Sequence, residues 1–477
     1  ESGGPFKDLF DFCCRVDNPG ADGIKNCITG QASLTPGQTV TLQVTLKHRA
    51  DGPAGVELFG MHGYPFNQGA QGTLDTANVT GLVLFTPKPS EDSVLVVGRL
   101  RAGGEHTPEP AWTAGKPFFP LIDTFGQYRH RDWPGKVHSL QELQQKAADE
   151  AQELAAKPGP EGWDQYGGWA AGPQLEAKGH FYTTKRDGKW WLVDPDGHLF
   201  FSHGIDCVNM MDYTPLTERE TWFEDCPADQ PGLGEFVTNA WSLHGHYAGK
   251  TSRSVNFAGA NRKRKYGDDW KQKSNELAHQ RLRSWGLNTV ANWSSSRVYS
   301  LAKTPYTVNV GFSSRLLEGS TGYWGKFRDV FDPAFAEAVG KAMQGQAGKS
   351  AEDPWCIGYF VDNEIAWGQD VSLAQGTLAS PQDQAAKSVF VEDLKAKHQT
   401  IDRLNEAWGT QHASWEALLA CTEPPDAQKA REDLLAFSAK TAEKYFRTCR
   451  EAVRNVAPNH LYLGCRFAWA NPLAIEQ

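Results

Sequence analysis

Cys356-Ile-Gly-Tyr-Phe-Val-Asp-Asn-Glu-Ile-Ala-Trp-Gly368 is the stretch that decides the fold. The apolar run from Ile357 to Val361 has the length of a strand buried on both faces, as in a parallel sheet. It stops on Asp362, Asn363 and Glu364, with Trp367 and Gly368 just beyond. Carboxylates at the end of a buried strand are costly unless something uses them. The C-terminal ends of barrel strands are where catalytic side chains sit. Glu364 is therefore the candidate general acid/base, with Asn363 beside it. The bland alternative is a capped turn opening the next helix.

Around this strand the chain alternates strands and helices. Lys189 to Val193, the turn Asp194-Pro-Asp-Gly197 and His198 to Ser202 predict a hairpin running on into His203-Gly-Ile-Asp206. Residues 214–270 are polar and aperiodic and predict an excursion over the domain. Asn275 to Trp285 has helical spacing, followed by strands over 286–294 and 306–312. Asp332-Pro333 predicts a helix start, with Asp at the cap and Pro in the first turn. Helices are expected at 384–397, 399–408 and 426–456, and a last strand over 461–468. The expected class is α/β, a (β/α)8 TIM-type barrel spanning 161–477. Only five of its strands can be counted, near 199, 287, 306, 356 and 461, so the barrel is expected to be incomplete in this chain.

Residues 1–115 look all-β. Thr39 to Lys47 alternates, with Val40, Leu42, Val44 and Leu46 on one face, and Gly81–Thr86 and Ser93–Gly98 predict two more strands. A jelly-roll sandwich of the carbohydrate-binding-module kind is expected there, either binding sugar or bracing the next domain. Residues 116–160 form a connector and a helix. Its aromatic segment Phe118–Tyr128 is expected to pack on the barrel domain, and Ser139-Leu-Gln-Glu142 is a capping box opening the helix.

Composition narrows the function. A net charge of −9 with no basic stripe argues against nucleic acid as a partner. No apolar stretch is long enough to span a bilayer. The chain starts at Glu1 without Met, which fits a mature secreted or periplasmic protein. Nine Cys without a CxxC pair give no support for zinc, and no metal or cofactor is expected. Cys13, Cys14 and Cys27 are candidates for one disulfide, whereas Cys207, Cys356 and Cys465 are expected to be core thiols. Seventeen Trp are available as stacking platforms for sugar rings. Trp190, Trp191 and Trp285 are assigned to the core, and Trp324 and Trp367 to the catalytic rim.

The strand ends collect a polar set with aromatic walls: His203 and Asp206, Asn292 and Trp293, Asn363 and Glu364, and Arg466. His203 could equally be a structural histidine, and Arg466 a salt-bridge residue. Such a pocket suits a neutral sugar, whose hydroxyls need donors and acceptors and whose apolar faces need rings. Glycoside hydrolysis uses two carboxyl groups, about 5–5.5 Å apart when configuration is retained. One of them must stay protonated near neutral pH, helped by burial or a neighbouring carboxylate such as Asp362.

Three stretches carry a family likeness: Asp194 to Asp206, Phe125-Gly-Gln-Tyr128 with Asp132-Trp-Pro-Gly-Lys136, and Tyr359 to Gly368. Together they resemble the β-agarases of glycoside hydrolase family fifty, from about residue 115 to the end. The resemblance implies a retaining hydrolase of β-1,4 bonds in agarose, with the acid/base on Glu364 and Asn363 beside it. It also implies a nucleophilic Glu at the end of a seventh strand, which is expected beyond Gln477. The alternatives are a β-galactosidase or sulfated-galactan hydrolase of the same clan, or a carbohydrate-binding barrel without catalysis.

Overall fold

The computed structural model describes residues 10–46, 74–87, 94–105, 117–241, 245–322, 324–468 and 471–476. These residues divide into two units, Glu1–Glu142 with Met211–Arg264, and Leu143–Met210 with Lys265–Gln477. The division differs from the expected cuts near 115 and 161, because residues 116–142 and 211–264 group with the N-terminal strands.

In the first unit, strand Phe10–Asp17 lies between Cys27–Leu34 and Gly81–Phe85 in an antiparallel sheet. Of the strands expected here, only the one at Gly81 has ladder hydrogen bonds. Val40, Leu42 and Val44 are half-buried with exposed residues between them, but Thr39–Leu46 belongs to no sheet. Val94 and Val96 are 96% and 90% exposed, so alternation there has no partner strand among the described residues. Residues 47–73, 88–93 and 106–116, where more of the sandwich was expected, lie outside the described residues. No disulfide forms, and Cys13, Cys14 and Cys27 are buried free thiols.

Residues 214–270 are more ordered than their aperiodic sequence implied. Thr214–Pro215, Ser252–Val255 and Val237–Ala240 form a small antiparallel sheet, and a helix runs from Phe257 to Tyr266. Strands of two to four residues are too short to show a period. The aromatic segment at 118–128 packs on this excursion within the same unit. Leu121 and Ile122 N–H groups both donate to the Trp222 carbonyl (2.7 and 2.9 Å), and Phe119 stacks on Trp222.

The second unit is built on five parallel strands: β1 (Gly204–Ile205), β2 (Thr289–Val290), β3 (Tyr306–Val310), β4 (Cys356–Asn363) and β5 (Leu461–Arg466). Their spatial order follows the chain, β1-β2-β3-β4-β5, every neighbouring pair is parallel, and helices lie between β2 and β5 in sequence. A three-stranded antiparallel sheet of Tyr182–Arg186, Lys189–Val193 and Leu199–Phe200 precedes it. Phe200 packs with Tyr166, Phe181 and Ile357, and Leu461 leans on the same group, so this sheet caps the end where β4 and β5 begin.

One face of the parallel sheet supplies the main core. Tyr306, Val308 and Val310 of β3, and Tyr359 and Val361 of β4, join Phe335, Val339 and Met343 of helix Pro333–Gln344. That helix starts as expected, with the Asp332 carboxylate accepting from Ala334 N–H and Pro333 in the first turn. Helix Arg431–Val456 buries Leu434, Phe437, Thr441, Tyr445, Cys449 and Ala452, spaced three or four apart. Each large apolar side chain buried this way contributes roughly 1.5–3 kcal/mol. At Gly358 a Cβ would lie 2.2 Å from the Leu461 carbonyl, so only glycine lets β4 and β5 approach this closely. β1 and β5 are the sheet's edges, and Ile205 on β1 is 41% exposed.

Candidate active site

The polar groups gather where the parallel strands end. Asp206 follows β1, Ala291 and Asn292 follow β2, Thr307 and Phe360 lie in β3 and β4, and Cys465, Arg466 and Phe467 close β5. Together they line one open cavity of about 420 Å3. Alternation explains the floor: Tyr306, Val308 and Val310 turn to the core, so Thr307 and Asn309 turn to the other face.

Those polar residues in a buried strand bind their neighbours. Thr307 Oγ1 donates to Asn292 Oδ1 (2.8 Å), and Asn309 Nδ2 to the Asp362 carbonyl (3.0 Å). Asn292 is 2% exposed, and its Nδ2 has no hydrogen-bond partner. The buried Asn363 Oδ1 is in the same state. Buried polar atoms are normally paired, so these two are exceptions, and both lie at the strand ends.

Glu364 continues the β4–β5 ladder by one bond, its N–H donating to the Arg466 carbonyl at 2.9 Å. Its φ is +50° and that of Asp362 is +61°, left-handed values that cost a non-glycine residue on the order of 1 kcal/mol or more. Trp293 (+58°) and Cys207 (+60°) share this conformation after β2 and β1. Strained backbone therefore collects at one end of the sheet. The Glu364 side chain is half-buried, and one oxygen accepts from Trp324 Nε1 at 2.5 Å.

Asp362 does not act as the charged neighbour expected for Glu364. It is 4% exposed and bound by Arg328 (Nη2 to Oδ1 2.9 Å, Nε to Oδ2 3.2 Å), and Tyr445 Oη donates to it at 3.3 Å. Burial holds the Tyr445 hydroxyl protonated, well above its usual range, so it stays a donor. Arg466 contacts Asp206 Oδ2 at 3.2 Å and lies 4.4 Å from the centre of the Trp293 ring. Burial pushes the Cys465 thiol up to about 11, which leaves it un-ionised beside the cavity.

Several expected roles change. Trp367 is 3% exposed, stacks on Phe446 and donates to Cys465 Sγ, so both faces of its ring are spent on the core. His203 precedes β1 instead of ending it, and its backbone N–H binds Asn288 Oδ1 at 2.8 Å; like Asn363, Glu364, Trp293 and Trp324, it is not among the residues that line the cavity. Cys207 is exposed, unlike Cys356 and Cys465. Trp190 and Trp285 are 71% and 60% exposed instead of core, whereas Trp293 (43%) and Trp324 (68%) keep accessible rings. Sequence reasoning missed Arg328, Thr307 and Asn309. The two β3 residues had a signal, being polar in a buried strand, and Arg328 had none.

The parallel sheet with its polar groups at the C-terminal strand ends is an α/β glycosidase fold. No protein-family model matches the chain. A solved exo-beta-agarase superposes with a TM-score of 0.73 at 25% identity, covering 98% of this chain and 70% of that one. The agarase AgWH50C gives 0.73 at 24% identity over the same shares. Beta-agarase B of Vibrio sp. (strain JT0107) is 31% identical over 494 residues, 94% of this chain and 50% of the relative. Beta-agarase A of the same strain is 30% identical over 440 residues, 83% and 42% of the two chains. The chain is thus similar in sequence to beta-agarases over most of its own length, and in fold to solved agarases. It spans about half the length of the curated relatives it matches.

Proposed function

We propose that this chain belongs to a retaining glycoside hydrolase that cleaves β-1,4-galactosidic bonds in agarose or agaro-oligosaccharides, with Glu364 as general acid/base. The observation that carries this is the strained, hydrogen-bonded position of Glu364 directly after a buried parallel strand. As acid, Glu364 gives its proton to the leaving glycosidic oxygen; as base, it takes one from the water that releases the sugar. Trp324 Nε1 donates to Glu364 Oε2, which sets this ring beside the reacting carboxyl. Asn363 and Asn292 serve the sugar hydroxyls, and Trp293 and Trp324 its apolar faces.

Retention needs a second carboxylate about 5–5.5 Å from the first. Asp206 is engaged by Arg466 and Asp362 by Arg328, so neither of these two is offered as the nucleophile. The five strands form part of a (β/α)8 barrel, and the N-terminal strands part of a sandwich. Charge supports a neutral substrate over a sulfated one: Arg466, the cation of the cavity wall, is already matched by Asp206. A polymer such as agarose cannot enter a cell intact, which supports a secreted or periplasmic enzyme.

The test uses the protein expressed from its whole reading frame. Glu364→Gln should lower reducing-end release from agarose by roughly 10²–10⁴-fold while oligosaccharide binding persists. Undiminished turnover in the variant, or no reducing ends from the parent, refutes the assignment.

A further inference from the structure

We propose that Asp164, Asp194 and His198 form a binding site for one first-row divalent cation, Zn2+ or Mn2+, at the opposite end of the sheet from Glu364. These residues border the small sheet that caps the start of β4 and β5. Each carboxylate spends one oxygen on backbone amides. Asp164 Oδ1 accepts from Tyr166 and Gly168 N–H (2.9 and 2.7 Å), and Asp194 Oδ1 from Asp196 and His198 N–H (3.0 and 2.9 Å). Both side chains are thereby fixed with their second oxygens turned toward His198.

His198 Nδ1 lies 2.8 Å from Asp164 Oδ2 and 3.9 Å from Asp194 Oδ2, and the three atoms all lie within 4.8 Å of one another. Ligands bound to one ion at about 2.0–2.2 Å are at most about 4.4 Å apart, and both imidazole–carboxylate separations, 2.8 and 3.9 Å, fall inside that limit. Asp194 is 0% exposed, yet its Oδ2 has no hydrogen-bond partner. Among the described residues no Lys or Arg nitrogen pairs with either carboxylate. The buried pair therefore needs either a proton or a cation. One imidazole and two carboxylates are an N/O set that Zn2+ and Mn2+ both accept.

The experiment titrates Mn2+ into the EDTA-treated, dialysed chain, follows the free-ion EPR signal, and repeats the titration with Zn2+ as competitor. Mn2+ avoids the nine thiols. One Mn2+ per chain is expected, displaced by Zn2+. Asp194→Asn should weaken it by at least roughly tenfold, with His198→Gln as the second variant if the first does not fold. Failure of the unaltered chain to bind Mn2+, or equal binding by the folded variants, overturns the site. The cluster then shares a proton only.

Discussion

Replacing Arg328 by Met should cost about 3–5 kcal/mol of stability. Asp362 is 4% exposed and Arg328 is 18% exposed, with the closest contact at 2.9 Å. At an effective dielectric near 20 that separation gives a gross attraction of about 6 kcal/mol, which mostly offsets the cost of removing both charges from water. The intact pair is therefore worth little net. The variant is different, because it leaves the carboxylate buried with the Tyr445 hydroxyl at 3.3 Å and no cation. Breaking a buried pair from one side costs the amount quoted. Met keeps an unbranched stem against the Phe312 ring, over which the guanidinium sits at 4.5 Å, so lost packing is minimised. The assay is urea unfolding at pH 7 of the parent, Arg328→Met, Asp362→Asn and the double variant. Since the penalty resides in the stranded charge, the double variant should be more stable than Arg328→Met alone. A loss below about 1 kcal/mol for Arg328→Met, or a double variant that falls further, would refute the reasoning.

Trp367→Ala should lose about 3–5 kcal/mol because the ring is buried among Phe327, Tyr445 and Phe446. Trp324→Ala should change stability by under about 1 kcal/mol, since its ring is mostly exposed, while lowering agarose turnover; thermal melts and reducing-sugar assays separate the two. Melting temperature against pH should expose the Asp164–Asp194 pair in metal-free protein. Asp194 has its folded pKa raised by burial and by Asp164, so its stabilisation is complete below the ordinary carboxylate range and lost as pH rises to about 7. Burial opposes the charge on Asp164, but Asp194, the Gly168 N–H and His198 outweigh it and lower its pKa, so that contribution is lost instead at acid pH. Asp194→Asn should remove the decline toward neutral pH, and parallel curves for parent and variant would contradict this.

The periodic elements were legible because their signals are local. β3, β4 and β5 announce themselves as apolar runs, and Asp332-Pro333 opens its helix through a cap that needs only three neighbouring residues. Glu364 was legible too, as a carboxylate following a buried strand that has no structural use for it. The strands of two residues at 204 and 289 could be placed only approximately, since so short a run has no period. The misread tryptophans fail for a related reason. Trp367 and Trp324 both lie in loops beside glycine, and only the helix Arg431–Val456 packing onto β4 and β5 decides which ring is buried.

The amino-acid sequence by itself determined the alternation of strand and helix, the strand carrying Glu364 and the likeness to the β-agarases, because hydrophobic period and short motifs are written in neighbouring residues. The tertiary structure alone decided which distant charged groups meet. Arg328 reaches Asp362 from 34 residues away, Arg466 meets Asp206 across 260, and His198 joins Asp164 across 34. Charges that far apart along the chain meet only when the strands align in one sheet. Which carboxylate is neutralised, which is strained and which lacks a partner is therefore a property of the fold.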